Sequence, residues 1–389
     1  MLNLAVLFGS RAAEHDVSVI SGLQILENAD KSKYNAFPVY VSRKGEWYIG
    51  EPLRKVETYK NFNPDQKGLT RVILPPVPGM KGLYTLGSGG LFGAKSQKVA
   101  DIDCAILAFH GMHGEDGSMQ GLFELANIPY TSCGVTGSAV GMDKIIMKSV
   151  FKSMGLPVLD STYCYRSEWK ETPEAVIERA EALGYPVYVK PANLGSSIGI
   201  SRAADRASLE NAMEIACAYD RRILIEKGLN KPVEINCACL GGNGKTTVSL
   251  CEQPASWEEF LTFEDKYTRG GKGMKGLSRQ VPAPISDILT ETVRAFTADI
   301  FRMLECKGVV RVDYMLDSET EALYVSEINT IPGSFAFYLF EPMGISFRQL
   351  VDRLVEYAQE AMVQKNESTF AYDSEIITKM ANGVKTGVK

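Results

Sequence analysis

The sequence has no C-x-x-C pair among its eight cysteines, no apolar run approaching membrane-spanning length and no excess of basic charge. Each absence removes a class of protein. Cys104, Cys133, Cys164, Cys217, Cys237, Cys239, Cys251 and Cys306 mostly sit inside apolar stretches, so they read as buried thiols of a reducing compartment. Cys237 and Cys239 can share one strand face, but no second pair completes a zinc site. The first residues, MLNLAVLFGSRAAEH, have no basic n-region and too short an apolar stretch for a signal peptide. A cytoplasmic location is therefore expected, with no membrane partner. A net charge of -5 and a pI near 5.5 argue against a surface that coats nucleic acid. Two nucleotide-binding signatures are also missing. No P-loop ends in Gly-Lys-Ser/Thr, and GSRAAEH after the first strand-like run is not G-x-G-x-x-G, which discards a Rossmann dehydrogenase. There is no internal repeat.

What is present is an alternation of strand-like and helix-like segments over 389 residues, the pattern of α/β layers in two or three domains. Residues 2–8, 37–42 and 104–110 read as strands, with a helix from about Asp16. The Pro/Gly-rich stretches PPVPGMKG and LGSGGLFGAK read as irregular surface connection. This first domain is expected to span residues 1–141. A small second domain, 142–230, holds helices at 143–154, 173–183 and near 209–219 and a strand at 222–226. A third, 231–375, starts with a strand at 234–240. It contains a long amphipathic helix, with Leu289, Val293, Phe296, Ile300 and Met303 at helical spacing and Gly308 as its cap. Two strands follow, at 309–316 and 322–329. Residues 376–389 read as a loosely held tail.

Several stretches carry chemistry. YVKPANLGSSIG, from Tyr188 to Gly199, combines a small-residue loop with one lysine, and closely spaced N–H groups of such a loop suit a phosphate. VVRVDYML and ALYVSEIN form a hairpin centred near Thr320, which sets Asp313 opposite Glu327 and Arg311 opposite Asn329. Val310, Val312 and Tyr314 with Tyr324 and Ile328 then make the packing face. The clustered oxygen donors suit magnesium, while a solvated face with a cross-strand salt bridge is the plainer alternative. The NTIPGS turn that follows weakens that alternative, because Gly333 can present a bare N–H beside the carboxylates. EDKYTRGGKGMKG, with four glycines and four cations, reads as a surface loop or as a lid over anionic substrate. His110 and His113 lie in FHGMHGEDG without a third zinc ligand; His110 reads as a loop residue orienting substrate, His113 as a cap or surface residue. Glu14 lies at the turn after the first strand, where open α/β sheets bind ligands, or it caps the helix.

Together, FGSRAAEHDVSVISG, HGMHGEDGSMQG, IPYTSCG, MDK, VKPANLGSSIGI, IEK, DKY, RVDYML and EINTIPG resemble the D-alanine–D-alanine ligases of the ATP-grasp superfamily, in the family's order and over nearly the whole chain. The resemblance implies a three-domain ATP-grasp fold behind a Rossmann-like preATP-grasp domain, with ATP between the last two domains. By position, Lys144 and Lys190 match lysines of the ATP phosphates, with Ser197 in the phosphate loop. Glu226, Lys227, Leu229 and Glu234 match adenine and ribose contacts, and Phe260 flanks adenine. Asp313, Glu327 and Asn329 match ligands of two magnesium ions, with manganese an alternative. Glu14 matches the residue holding the first substrate's ammonium, and His110 its neighbour. Ser196 and Tyr267 match hydroxyls linked to that glutamate. Arg311 and the Gly333 N–H face the tetrahedral oxyanion, and Lys266 lies near the acceptor carboxylate.

The implied reaction ligates two D-alanines through an acyl phosphate for peptidoglycan precursor synthesis, in an enzyme that tends to be a homodimer through its first domain. One segment departs from the family. After NTIPG this chain has SFAFYLF, so Tyr338 stands where a serine usually precedes a leucine, here Leu339, and Phe335 and Phe337 are expected to add bulk. Related acceptors such as D-serine or glycine follow from that departure, and a non-catalytic ATP-binding protein is the remote alternative. Tyr267 favours an amine acceptor, since depsipeptide-forming relatives carry histidine there.

Overall fold

The computed structural model describes residues 1–87, 96–254, 279–372 and 374–381. Its first sheet has the order β4–β3–β2–β1–β7, built from β1 (Leu2–Gly9), β2 (Tyr34–Val41), β3 (Trp47–Ile49), β4 (Thr70–Val72) and β7 (Cys104–Leu107). The continuous apolar run of β1 is what a strand buried on both faces needs, and it pairs in parallel with β2 and β7. The crossover to β2 is the helix His15–Asn28. It can approach β1 closely because Gly22 has no side chain: a Cβ there would lie 2.3 Å from the Phe8 ring. The stretch expected to be irregular holds more order than that. β4, β5 (Gly82–Tyr84) and β6 (Lys98–Asp101) all form within or beside it, and β5 pairs with β6; residues 88–95 lie outside the described set. Strands of three or four residues are too short to show a period in sequence.

The second sheet, β10–β9–β11–β8, is antiparallel: β8 (Ser161–Tyr165), β9 (Val187–Pro191), β10 (Ser201–Ala203) and β11 (Arg222–Lys227). Val187, Val189, Ile223 and Ile225 bury against Leu209 and Met213 of the helix Arg206–Tyr219. Asp205 and Ser208 start that helix with a reciprocal capping box.

The third sheet, β13–β12–β14–β15, carries the site: β12 (Pro232–Gly242), β13 (Lys245–Glu252), β14 (Gly308–Asp317) and β15 (Leu323–Asn329). One face packs on the helix Asp287–Met303 through Val293 and Ile300, and Tyr314 reaches the same helix by donating to the Val293 carbonyl. Three expectations change here. Met303 is 63% exposed, because in the last turn of the helix Ile300 and Phe301, with Leu304 just beyond, take the buried positions. Gly308 does not cap the helix but opens β14 with φ +80°; the left-handed position after the helix is taken by Glu305. A register shift between Asp313 and Tyr314 makes Val325 the partner of Tyr314, so Val325 is buried in place of Tyr324. A bulge adds one residue and flips the faces beyond it.

The core under the first sheet does not stop at the first domain's sequence. Ile331, Phe335, Leu339, Phe340 and the helix Phe347–Asn366, through Leu350, Val351, Leu354 and Val355, share it with Val6, Ile106 and Phe109. The NTIPGS turn is thus built onto the first sheet. Phe335 is buried in this core and Phe337 stacks on Phe347 at 4.4 Å, so the bulk expected of Phe335 in the acceptor pocket is absorbed by the core. Beyond Asn366, the helix Ile376–Ala381 exposes Ile376, Ile377 and Met380.

Candidate active site

Four strands each contribute one polar residue to a row across the third sheet. The registers set Glu252 opposite Asn236, Asn236 opposite Asp313, and Asp313 opposite Glu327. Directly paired residues share a face, so the row lies on the side away from the helix Asp287–Met303. The predicted pairings Asp313–Glu327 and Arg311–Asn329 are both present. Arg311 grips Asp313 with two parallel contacts, Nε to Oδ1 at 2.6 Å and Nη2 to Oδ2 at 2.7 Å. Asn329 donates its amide to Asp313 Oδ2 at 2.9 Å. Burial and the neighbouring Glu327 push the Asp313 carboxyl up. Two crowded carboxylates beside an amide are the oxygen donors a hard divalent cation takes, and such a cation relieves their repulsion.

The Glu327 end of the row meets the second sheet. Lys144, the first residue of the helix Lys144–Ser153, reaches Glu327 Oε2 at 3.1 Å and the Leu194 carbonyl at 3.0 Å. Asp143 caps that helix, accepting from the N–H groups of Ile145 and Ile146, and pairs with Arg222. Lys190 on β9 reaches Glu226 Oε2 at 2.5 Å, and Lys148 takes the other oxygen of the same carboxylate. Burial works to raise the Glu226 carboxyl, but the two ammonium groups outweigh it and hold it at about 2. Burial opposes ionisation of Glu327 too, and Lys144 with Lys190 again win, at about 2. Lys148 was not singled out from the sequence, although it follows Lys144 by four residues and so shares its helix face. Glu226, Lys227 and Leu229 line, with Tyr188 and Lys190, a small cleft. Glu234 stands opposite Met315, which also lines it.

The small-residue loop joins this cleft to the first domain. Asn193 fixes its base, donating its N–H and amide to Asp220 at 2.8 and 3.0 Å. Ser196 and Ser197 both adopt left-handed φ, of 53° and 59°. The Ser196 hydroxyl donates to the buried Glu14 carboxylate, whereas Ser197 is exposed. Beneath Glu14 lies Glu115, absent from the expected site. It accepts from the Ile331 N–H at 2.7 Å and the Gly111 N–H at 3.2 Å, and burial together with Glu14 pushes it up to about 7. It sits in the HGMHGEDG stretch itself, so only its partners, not its presence, were hidden.

His110 is buried, and both its ring nitrogens are used inside the protein. Nδ1 lies 2.9 Å from the Ile331 carbonyl and must donate; Nε2, 2.8 Å from the Ser21 hydroxyl, then accepts. Ser21 in turn accepts from the Ser334 N–H at 3.3 Å. This chain is a neutral imidazole, and burial lowers its value to about 4. His110 therefore holds the turn that starts at Gly333. Three consecutive non-glycine residues there, Ser334, Phe335 and Ala336, have φ of 50°, 56° and 47°, a conformation that costs about 1–2 kcal/mol per residue. Their burial and the His110–Ser21 bridge over-determine it.

At the other end of the row, Tyr338 is buried and donates its hydroxyl to Glu252 Oε1 at 2.9 Å. Asn236 also donates to Oε1, at 3.3 Å, and Arg279 Nη1 to Oε2 at 3.3 Å. The Arg279 guanidinium lies 4.0 Å above the Tyr338 ring. Glu252, Arg279 and Asn236 were not singled out; they are far apart in sequence and match no motif. Leu339 is fully buried in the core. Phe260, Lys266 and Tyr267, with the whole EDKYTRGGKGMKG stretch, lie outside the described residues. All eight cysteines are free and buried, as expected. Among the described residues no helix is long and apolar enough to cross a membrane.

A Rossmann-like sheet followed by two antiparallel sheets, with Lys144, Lys190, the small-residue loop and the carboxylates of Glu226 and Glu327 in contact where those two sheets meet, defines an ATP-grasp protein. Family models described as D-ala D-ala ligase N-terminus and C-terminus match residues 3–133 and 150–356, and the chain belongs to the D-alanine–D-alanine ligase family. It is 37% identical to the D-alanine–D-alanine ligase of Thermosipho melanesiensis over 97% of this chain and 98% of that one. With that of Chloroherpeton thalassium the identity is 38%, over 92% and 96%. Among solved structures, the D-alanine–D-alanine ligase of Coxiella burnetii superposes with a TM-score of 0.76 at 26% identity, covering 94% and 98% of the two chains. The VanG D-Ala:D-Ser ligase of Enterococcus faecalis gives 0.76 at 28%, covering 92% and 99%.

Proposed function

We propose that this protein is an ATP-dependent D-alanine–D-alanine ligase that acts through an acyl phosphate and supplies peptidoglycan precursor. One observation carries the reading: a run of contacts links Glu14 to Ser196 of the loop 193–200, that loop to Lys144 through the Leu194 carbonyl, and Lys144 to Glu327 beside Asp313 and Arg311, with Lys190 near enough to help hold Glu327 ionised. In this reading Glu14 receives the ammonium of the first D-alanine, and Ser196 couples that site to closure of the loop over ATP. Lys144 and Lys190 neutralise the phosphates, Ser197 joins them from the loop, and the cleft formed by Glu226, Lys227 and Leu229 takes the adenine end, with Glu234 beside it and Phe260 an adenine contact by family position alone. Asp313, Glu327 and Asn329 would hold magnesium, or manganese, which when bound offsets the charge of the transferring phosphoryl group.

A carboxylate is a poor electrophile, so the γ-phosphate of ATP moves first to the donor carboxylate. The amine of the second D-alanine then attacks the acyl phosphate, the C–N bond forms, and inorganic phosphate leaves. Arg311, gripped by Asp313, and the Gly333 N–H, at the start of the buried left-handed turn, would stabilise the tetrahedral oxyanion, a donor of this kind being worth about 3–4 kcal/mol. Lys266 and Tyr267 complete the acceptor and donor sides in the family reading, Leu339 follows the acceptor position, and the domains 1–141, 142–230 and 231–375 act as donor-binding, loop-bearing and catalytic units. A cytoplasmic homodimer paired through the first domain fits the same reading.

Tyr338 at the family's serine position favours testing a second acceptor alongside, D-serine above all. Purified protein with ATP, magnesium and a panel of D- and L-amino acids should release phosphate with D-alanine alone and yield the dipeptide by mass. Release only with another pair would replace D-alanine as acceptor; removal of the divalent cation should stop release altogether.

A further inference from the structure

The acceptor end of the sheet face contains a charged cluster that the family resemblance does not supply. An amino-acid acceptor brings a carboxylate into a site that must exclude water to protect an acyl phosphate, and a buried carboxylate needs donors. The residue at the family's serine position, Tyr338, cannot offer its proton freely, since its hydroxyl already donates to Glu252 at 2.9 Å. The cation beside it can. Arg279 contacts Glu252 through one nitrogen only, Nη1 at 3.3 Å. Its Nε is buried and, among the described residues, has no hydrogen-bond partner, although the side chain is only 15% exposed. A guanidinium that served only to neutralise Glu252 would gain most from a two-pronged contact, like that of Arg311 on Asp313. Instead Glu252 divides its oxygens among Tyr338, Asn236 and Arg279, and the Tyr338 ring supports the guanidinium from below at 4.0 Å.

We propose that Arg279 receives the carboxylate of the acceptor amino acid, and that Glu252 and Tyr338 are positioning residues that fix its guanidinium. The inference rests on the ligase reading above and names the group that selects a free α-carboxylate in this chain. Placement supports it. Glu252 is the end of the row that continues through Asn236 and Asp313 to Glu327, and Tyr338 follows the Gly333 turn by one short helical segment. Donor and phosphates would thus occupy one end of the row and the acceptor the other, with Arg311 between them. The ligand class is a small amino acid with a free carboxylate; an acceptor amide lacks the negative charge that Arg279 pairs with.

The test is a competition. Full-length protein receives ATP, magnesium, D-alanine and D-alaninamide, and the two products, dipeptide and dipeptide amide, are separated by mass. Wild-type protein should favour the free acid. Arg279→Ala should reduce the dipeptide-to-amide ratio about 30-fold or more, the cost of removing one partner of a buried charge pair. Arg279→Lys, which keeps a charge, should retain an intermediate ratio and also serves should the alanine variant not fold. The KM of the donor site should stay unchanged in both. A ratio that equals the wild-type value in Arg279→Lys and Arg279→Ala, or in whichever of them folds, overturns the inference even if overall turnover drops, because a merely structural arginine would lower both products alike. Wild-type protein that joins no pair of D-amino acids would instead overturn the ligase reading, and the inference with it.

Discussion

At the Glu327 end of the polar row every carboxylate faces a cation: Glu327 with Lys144 and Glu226 with Lys148 and Lys190, all from other segments, and Asp313 with Arg311 of its own strand. At the Glu252 end one carboxylate is shared by a tyrosine, an amide and a single arginine nitrogen. The first end coincides with the quoted family motifs, MDK, VKP, IEK, RVD and EIN. The second coincides with the one segment that departs from them, SFAFYLF, and with residues in no motif. The physical requirement differs. Phosphoryl transfer presents the same triphosphate and the same developing charge each time, so cations and oxygen donors have to stand at fixed places. An acceptor pocket has only to hold a small amine next to the acyl carbon and can meet its carboxylate with different donors.

Three measurements probe how far these two ends differ. Arg311 stands between them, and Arg311→Ala should lower kcat about a thousand-fold, the upper range for loss of an oxyanion donor, while ATP affinity changes only a few-fold. Losses of equal size in kcat and in ATP binding would assign Arg311 to the phosphate end instead.

The next effect concerns the turn that separates the ends. Burial sets the His110 imidazole at about 4, below its unfolded value of 6.5. Between those values the unfolded chain binds a proton that the folded one does not. The stability from neutral His110 is therefore complete above pH 6.5 and is lost as pH falls through 6.5 towards 4. Relative to His110→Gln, wild-type protein should lose about 3 kcal/mol of unfolding free energy over that interval, read from denaturant melts at each pH. A difference that does not vary with pH would mean the ring is not held neutral between Ser21 and Ile331.

The smallest effect lies at the donor side. Ser196→Ala removes one hydroxyl that donates to the Glu14 carboxylate, and a hydrogen bond to a charged group is worth about 1.5–3 kcal/mol. KM for the first D-alanine should rise about tenfold with ATP binding nearly unchanged. The reverse pattern would place Ser196 with the phosphates and remove the coupling between loop closure and donor binding.

Much of the Glu327 end of the row was legible in the sequence because its spacing rules are local. Strand alternation put Arg311 and Asp313 on one face, and a short connection set them opposite Asn329 and Glu327. The same rule failed at the next residue, since the register shift after Asp313 has no marker in the sequence and moves Val325 into the place expected for Tyr324. Lys148 was within reach of helical spacing from Lys144. Arg279 was not: it reaches Glu252 and Tyr338, which are 27 and 59 residues away, only because β13 and the Gly333 turn meet on one sheet face.

By itself the sequence determined the α/β class, the family, the ordered family motifs and the opposed carboxylates, because each depends on periodicity or on segments read one at a time. Only the tertiary structure decided that the Gly333 turn is built on the first sheet through His110 and Ser21, that Phe335 goes to the core, and that Glu252, Arg279 and Tyr338 meet at one end of the polar row. Those contacts join residues with no fixed spacing, and what selects them is the burial of charge and of aromatic surface when separate sheets meet.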